Sequence, residues 1–394
     1  MFVFYTLLYI ILTYLSYSFT IFGISSVFSL IRESYFLYLI LLCFYKIFIV
    51  NKFCVKKHSY SLLLIICIIL ALPYIFISNF FKEAVVTFIL YFSGPILFIL
   101  ISCLDFHQKS RDRFEFYFFL VLGIVCIINI LFYFIQDKVV YLIPQDFLLY
   151  FSRGNGRIRY LGISFHPTTT GFFFIYLIGY LFIYKRNYIF SCINGIFYIF
   201  SGTRSAILGI PFYIFFKLKK AFKIIAFIIG IVLLICLYYL LFSAKIEQYL
   251  DVSASAHFSH LLVLGPKTIV KYPFGAGLGT VSPYNTTDSI IHLESEMYLY
   301  MIQLGMIPFA IKMFFYGFVI KKLLLVNTRK ANWLLFILLT FMIGCMVFAL
   351  NDSRFISNFI WIMLGIEFSK PEYKNLPIRK RNFRFLKSAI KIGN

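Results

Sequence analysis

Apolar stretches long enough to cross about 30 Å of hydrocarbon recur along the whole chain, and they set the class of fold before anything else is read. They fall at roughly 2–21, 35–50, 60–78, 85–104, 114–135, 161–184, 188–201, 205–216, 222–243, 297–320, 332–350 and 355–367. The pattern predicts an all-α polytopic integral membrane protein with about twelve transmembrane helices. The stretches at 188–201, 205–216 and 355–367 are short, so they must tilt little, borrow flanking residues or be broken helices. Residues 22–31 read as an interfacial turn or an extension of the first helix. Composition removes the alternatives. Charged residues are only 13% of the chain, and hydrophobic residues are 62%, with 52 Phe and 30 Tyr. A soluble globule of 394 residues could not bury so much apolar surface. A secreted disulfide scaffold and a disordered chain are excluded as well.

The formal net charge is +22, which in a soluble protein would point to nucleic acid. Here the cations sit in short clusters between apolar runs, so the charge reads as positive-inside bias, with a lipid bilayer and no nucleic acid as partner. One set of connections holds Lys52, Lys56 and Lys57, then Lys109, Arg111 and Arg113, then Lys185 and Arg186. It continues with Lys217, Lys219, Lys220 and Lys223, with Lys321, Lys322, Arg329 and Lys330, and with a basic tail. That side carries 24 cations and the opposite side 11, against 10 acids. Both termini are therefore expected in the cytoplasm, as an even number of spans requires. The first helix lacks a small-residue cleavage site and reads as a retained span. All eight cysteines fall in expected helices or on the cytoplasmic side, so no outer disulfide is expected. No Cys/His metal spacing, internal repeat, low-complexity tract or second soluble domain is evident.

The expected organisation is nine helices over 1–243, including an outer loop at 136–160, then a long outer loop at 244–296. Three more helices follow over 297–367, and a basic cytoplasmic tail over 368–394. Loops beyond about 15 residues in compact proteins are usually functional or disordered. The stretch 258–270 reads as an amphipathic helix, and the long loop is expected to fold against the membrane face.

No P-loop, HExxH or GxSxG is present. The GAGLG at 275–279 is not framed as a phosphate cradle. Three polar clusters remain on the outer side. RGNGRIRYLGISFHPTTTG at 153–171 places Arg153, Arg157 and Arg159 where positive-inside bias disfavours them. Arginine suits bidentate recognition of phosphate oxygens, and headgroup snorkelling is the alternative. His166-Pro167-Thr168 marks a broken helix start, with threonine hydroxyls expected as caps. SGTRSA at 201–206 puts Arg204 near the outer boundary, where a charge is functional by default or is salt-bridged to Asp352, Glu294 or Glu296. SIIHLESEMYLYMIQLG at 289–305 holds His292, Glu294 and Glu296. If the helix already includes this stretch, His292 and Glu296 share one face, and a His beside a carboxylate can make a general base. An acidic first turn favoured by the helix dipole is the alternative. Weaker candidates are Lys267, Lys271, Asp352 and Arg354. Lys46 and Lys312 read as snorkelling side chains, and His257 and His260 as loop polar residues.

Taken in order, these motifs resemble those of the Wzy-type O-antigen polymerase and O-antigen ligase superfamily. PFGAGLG at 273–279 looks like the P-x-x-G-x-G that precedes the family's histidine. The run 292–305, with Tyr298-Leu299 and Gly305 seven residues after Tyr298, is similar to the H-N-x-Y-L…G segment. Arg159-Tyr-Leu-Gly162 followed by His166-Pro167 resembles R-x-x-G-x-F-x-N-P. The likeness covers roughly 155–320. Where the family often has His-Asn, this chain has Ser295-Glu296, with His292 three residues earlier, so the base stays open among His292, Glu294 and Glu296. The resemblance implies a GT-C-like fold with a periplasmic active site in the bacterial inner membrane. It implies metal-independent, inverting glycosyl transfer between undecaprenyl-diphosphate-linked oligosaccharides, with no cofactor and with a partner that sets chain length. Arg159, Arg204 and Arg157 would hold the diphosphate. Arg153, His166, Lys271 and Arg354 are candidate substrate contacts. An O-antigen ligase acting on lipid A–core and a flippase for lipid-linked oligosaccharides are the competing readings.

Overall fold

The structure, a computed structural model, describes residues 2–21, 25–50, 59–78, 80–104, 108–140, 160–164, 166–201, 203, 205–218, 222, 264–280, 295–347 and 354–369. These residues are helical with short connections and contain no strand. In chain order the helices are α1 (Phe2–Ile21), α2 (Ser25–Tyr45, running on as a π-helical turn Lys46–Val50), α3 (Ser59–Ala71), α4 (Pro73–Ile77), α5 (Phe81–Ser102) and α6 (Gln108–Val140). Then come α7 (Pro167–Gly179, continued by a π-helical turn Tyr180–Lys185), α8 (Tyr188–Ser201), a 3-10 turn (Ser205–Leu208) and α9 (Gly209–Lys217). The last five are α10 (Gly265–Lys271), α11 (Glu296–Leu304), α12 (Met306–Val326), α13 (Arg329–Val347) and α14 (Arg354–Phe368).

By length and composition, five stretches among the described residues can cross a membrane: Val27–Phe48, Phe81–Ser102, Lys109–Val139, Pro167–Lys185 and Arg329–Met346. Five shorter apolar helices accompany them. Their outward faces carry Phe, Ile and Leu at high exposure, which suits lipid rather than water. The stretch expected at 222–243 lies, apart from Phe222, outside the described residues.

Several boundaries differ from expectation, each for a local reason. Ser25–Ile31 opens α2 rather than forming an interfacial turn, and residues 22–24 lie outside the described residues. The helix expected from 161 starts at Pro167, because proline's fixed φ and missing N–H suit the first helical position. The stretch 60–78 divides at Pro73. The stretch 297–320 divides at Gly305, whose φ of +81° ends α11 and lets the chain reverse.

That reversal shapes one end of the bundle. Lys312 of α12 lies 3.9 Å from the centre of the Tyr300 ring, and Glu296 shares a cavity with Tyr316. The facing positions move away from Gly305 in both directions, so α11 doubles back along α12. The hook 272–280 wraps the turn. Ala276 and Gly277 N–H donate to Ile302 and Gln303 O, at 2.7 and 3.1 Å, satisfying carbonyls that the end of α11 would leave unpaired. Leu278 N–H donates to Tyr74 O, and Met306 N–H to Pro273 O. The GAGLG segment is thus a splint between α4, α5 and α11.

The core centres on α14, which packs along α5. An added Cβ at Gly94 would stand 2.2 Å from Trp361 Cδ1, so the small residue is what admits the indole. Phe98, Phe315 and Tyr316 ring Trp361 at 5.6–5.7 Å between centroids. A buried polar chain crosses the same layer, Ser93 Oγ donating to Asn358 Oδ1 and Asn358 Nδ2 to the Tyr9 hydroxyl.

At the opposite end the lysine-rich helix termini gather. Lys330 Nζ lies 3.2 Å from Glu115 and 3.4 Å from Glu367. The Tyr184 hydroxyl donates to Glu115, and Lys185 lies over the Tyr184 ring. Lys217 donates to Asn327 and Asn332. Cationic connections grouped together from sequence therefore share one end of the bundle.

Candidate functional site

The N-terminus of α7 is where two of the sequence clusters meet. Residues 160–164 lead into it and are held by a buried polar network. Leu161 N–H donates to Gln136 Oε1 at 2.8 Å, and Ile163 N–H to Asn129 Oδ1 at 3.0 Å. The Tyr14 hydroxyl donates to the same Asn129 oxygen. Thr170 Oγ1 donates back to Leu161 O at 2.6 Å and pairs with Ser164 Oγ. The donors here are backbone N–H groups and hydroxyls, and together they tie the segment to α1, α6 and α7.

The SGTRSA segment closes on the same point. Tyr160 N–H donates to Phe200 O at 3.2 Å. Thr203 Oγ1 donates to Pro167 O at 3.0 Å, and the Tyr198 hydroxyl donates to Thr203 O. Arg153, Arg157, Arg159 and Arg204 lie outside the described residues. One neighbour each of Arg159 and Arg204 is described: Tyr160 bonds to Phe200 at the end of α8, and Thr203 to Pro167 at the start of α7.

His166 is the N-cap of α7. Its Nδ1 accepts from Thr169 N–H at 3.2 Å, and Thr169 Oγ1 contacts the same nitrogen. The expectation of threonine hydroxyls as caps is corrected: the imidazole caps, because Thr170 is turned back to Leu161. His166 sits just before the apolar span, and burial pushes its imidazole down to about 4. The ring is then neutral near pH 7, and Nδ1 can accept.

Glu296 begins α11 and is 3% exposed. It lines a cavity of about 20 Å³ with Tyr300, Lys312, Tyr316, Phe341, Met342 and Cys345 among its walls. That volume suits about one water and is too small for a sugar ring. Lys312, read from sequence as a snorkelling side chain, is 8% exposed in the same cavity. A signal was present: six residues, about 9 Å, separate Lys312 from the start of α12 at Met306, and nine, about 13 Å, from the Lys321–Lys322 pair. His292 and Glu294 lie outside the described residues. Lys271 is exposed at the end of α10, 5.2 Å from the Tyr272 ring centre. Arg354 is the first residue of α14, and its side chain lies outside the description.

The two regions are neighbours through α13. The 3-10 turn that follows Arg204 packs on α13, and Phe341, Met342 and Cys345 of the same helix wall the Glu296 cavity. Chemically, one side offers a helix N-terminus with arginine-bearing segments docked to it. The other sets a carboxylate and an ammonium in the wall of one small, mostly apolar cavity. In comparisons with known proteins, no family model and no curated protein matches the chain.

Proposed function

We propose that the protein is a membrane-embedded polysaccharide polymerase of the O-antigen type. It transfers a growing glycan from undecaprenyl diphosphate to the sugar of a second undecaprenyl-diphosphate-linked repeat unit. In this reading the chain is a GT-C-like inner-membrane enzyme with about twelve spans and both termini in the cytoplasm, and it works at the periplasmic face beside a partner that sets chain length. The observation that carries the proposal is the docking of the Arg159- and Arg204-bearing segments on one helix entrance, through Tyr160 to Phe200 and Thr203 to Pro167.

The chemistry follows from that pairing. A base takes the proton of an acceptor hydroxyl, and the oxygen attacks the donor's anomeric carbon from the face opposite the diphosphate. The bond from that carbon to the phosphate oxygen breaks, and undecaprenyl diphosphate leaves with the electron pair. Arg159, Arg204 and Arg157 stabilise the charge that grows on it, with the positive end of α7 adding to their field. A positioned base supplies about 10²–10⁴-fold, and it is assigned to the segment His292–Glu294–Glu296. The small Glu296 cavity supports a holding role for that residue, which leaves His292 and Glu294 as the candidate bases. Arg153, His166, Lys271 and Arg354 contact substrate around this centre.

The test is the glycan ladder after deletion and restoration of the gene. Loss of the ladder with a single repeat left on lipid A–core supports the polymerase. Loss of all attached glycan, with long polymer held on the carrier, would replace it by a ligase. An unchanged ladder would leave the flippase reading or a polysaccharide not attached to lipid A. Within a positive result, Arg204→Ala should shorten or abolish the ladder and Arg204→Lys should recover part of it. Full-length polymer from the alanine variant would remove the diphosphate role.

A further inference from the structure

We propose that α10 and the hook 272–280 form a surface anchor that binds an anionic phospholipid leaflet at the end of the bundle away from the Lys330 cluster. The two faces of α10 differ. Leu264, Ile269 and Tyr272 pack against Leu299 and Ile302 of α11, and Thr268 is buried. The other face presents Lys267, Val270 and Lys271, all exposed, with Val270 at 81%.

Phe274 follows at 77% exposure, and its place is fixed by backbone bonds. Its carbonyl accepts from the Tyr74 hydroxyl at 2.6 Å, and Pro273 O accepts from Met306 N–H. Gly277 lies against Ser78 and Gly279 against Ala84. Phe274 therefore shares a rim with the exposed side chains of Phe76, Phe81 and Ile307. This rim sits on helix ends and irregular backbone, not on the flank of a span. Irregular backbone is not tolerated in open hydrocarbon, so its depth is the headgroup boundary, where aromatic rings and lysines partition together.

Charge selects the lipid. Among the described residues, the rim's exposed cations are Lys82, Lys267 and Lys271, and the acid beside them, Glu83, is half-buried. The excess is positive and faces phosphate groups with Val270 and Phe274 between the lysines. Each such lysine adds about fivefold in membrane affinity at an anionic surface.

The experiment uses the full-length protein in nanodiscs. Phe274→Trp adds an indole at the rim, while the native Trp333 and Trp361 are buried in the bundle. The difference emission should be blue-shifted and quenched by acyl-brominated lipid, more strongly in discs containing phosphatidylglycerol than in pure phosphatidylcholine. Lys267→Glu with Lys271→Glu should remove the anionic increment and leave Tm unchanged. Water-like emission quenched equally by iodide in both discs overturns the anchor. Equal quenching in anionic and neutral discs overturns the headgroup preference. Quenching that appears only when undecaprenyl phosphate is added assigns the rim to the carrier lipid and also overturns the proposal. If Phe274→Trp does not fold, Val270→Trp gives the same readout.

Discussion

Glu296 and Lys312 carry opposite charges into one small cavity among Tyr300, Tyr316, Phe341 and Cys345. Burying either charge is costly, and the other offsets part of that cost. Removing one of the two takes that part away, at up to roughly 3–5 kcal/mol. Lys312→Met should therefore lower the Tm of the purified protein strongly, and Glu296→Gln should act in the same direction. The double variant should recover most of the loss, since two neutral side chains of similar volume fill the space without desolvating a charge. Strictly additive losses in that cycle would show that the two residues do not interact. The same variants separate holding from catalysis. Glu296→Gln combined with Lys312→Met should keep much of its glycan ladder if His292 or Glu294 is the base, and none if Glu296 is.

At the scale of elements, breaks decide more than periodicity does. Gly305 at φ +81° faces Phe274 backbone so closely that an added Cβ would stand 2.6 Å from its carbonyl carbon. Gly305→Ala should be among the most damaging single substitutions, costing at least the 1–3 kcal/mol of a strained backbone, with lost hook contacts on top. Gly94→Ala is the helix–helix counterpart. It should cost about 1–3 kcal/mol by overpacking and shift Trp361 emission, because the indole cannot give way inside its aromatic ring of neighbours. Most helices were legible because apolar runs of spanning length admit few other structures, and the α7 start was legible from His166-Pro167. The reversal at Gly305 was not. Hydropathy is the same for a chain that continues and one that doubles back, so Glu296 read as a candidate base or an acidic first turn at the end of the outer loop, and Lys312 as a snorkelling side chain. The junction of 160–164 with 201–203 was equally hidden, since it rests on backbone and hydroxyl bonds that leave no periodic trace. What the sequence did offer was arginine in both clusters, three against the expected positive-inside bias at 153–159 and Arg204 near the expected outer boundary.

For the whole molecule, the two ends of the bundle differ in kind. One gathers Lys330, Glu115, Glu367, Lys185 and Lys217 around the termini of α6, α7, α9, α12, α13 and α14. The other holds the α7 entrance, the hook and the Glu296 cavity. Lysine and arginine in short connections bias a helix end toward the cytoplasm, and six termini carrying that bias in one direction predict that this end faces the cytoplasm. Reporter fusions measure this directly. Alkaline phosphatase joined after Lys217 or Phe368 should be inactive and a fluorescent protein there bright, with the reverse after Lys271. The outcome bears on mechanism as well as orientation. If the fusion after Lys271 reports the cytoplasm, the arginine-bearing entrance of α7 would face nucleotide-sugar chemistry rather than lipid-linked glycans. A periplasmic result puts that entrance, the α10 anchor and the headgroups of the carrier lipid in one layer, where a diphosphate at the membrane surface meets the docked arginine segments without leaving its bilayer.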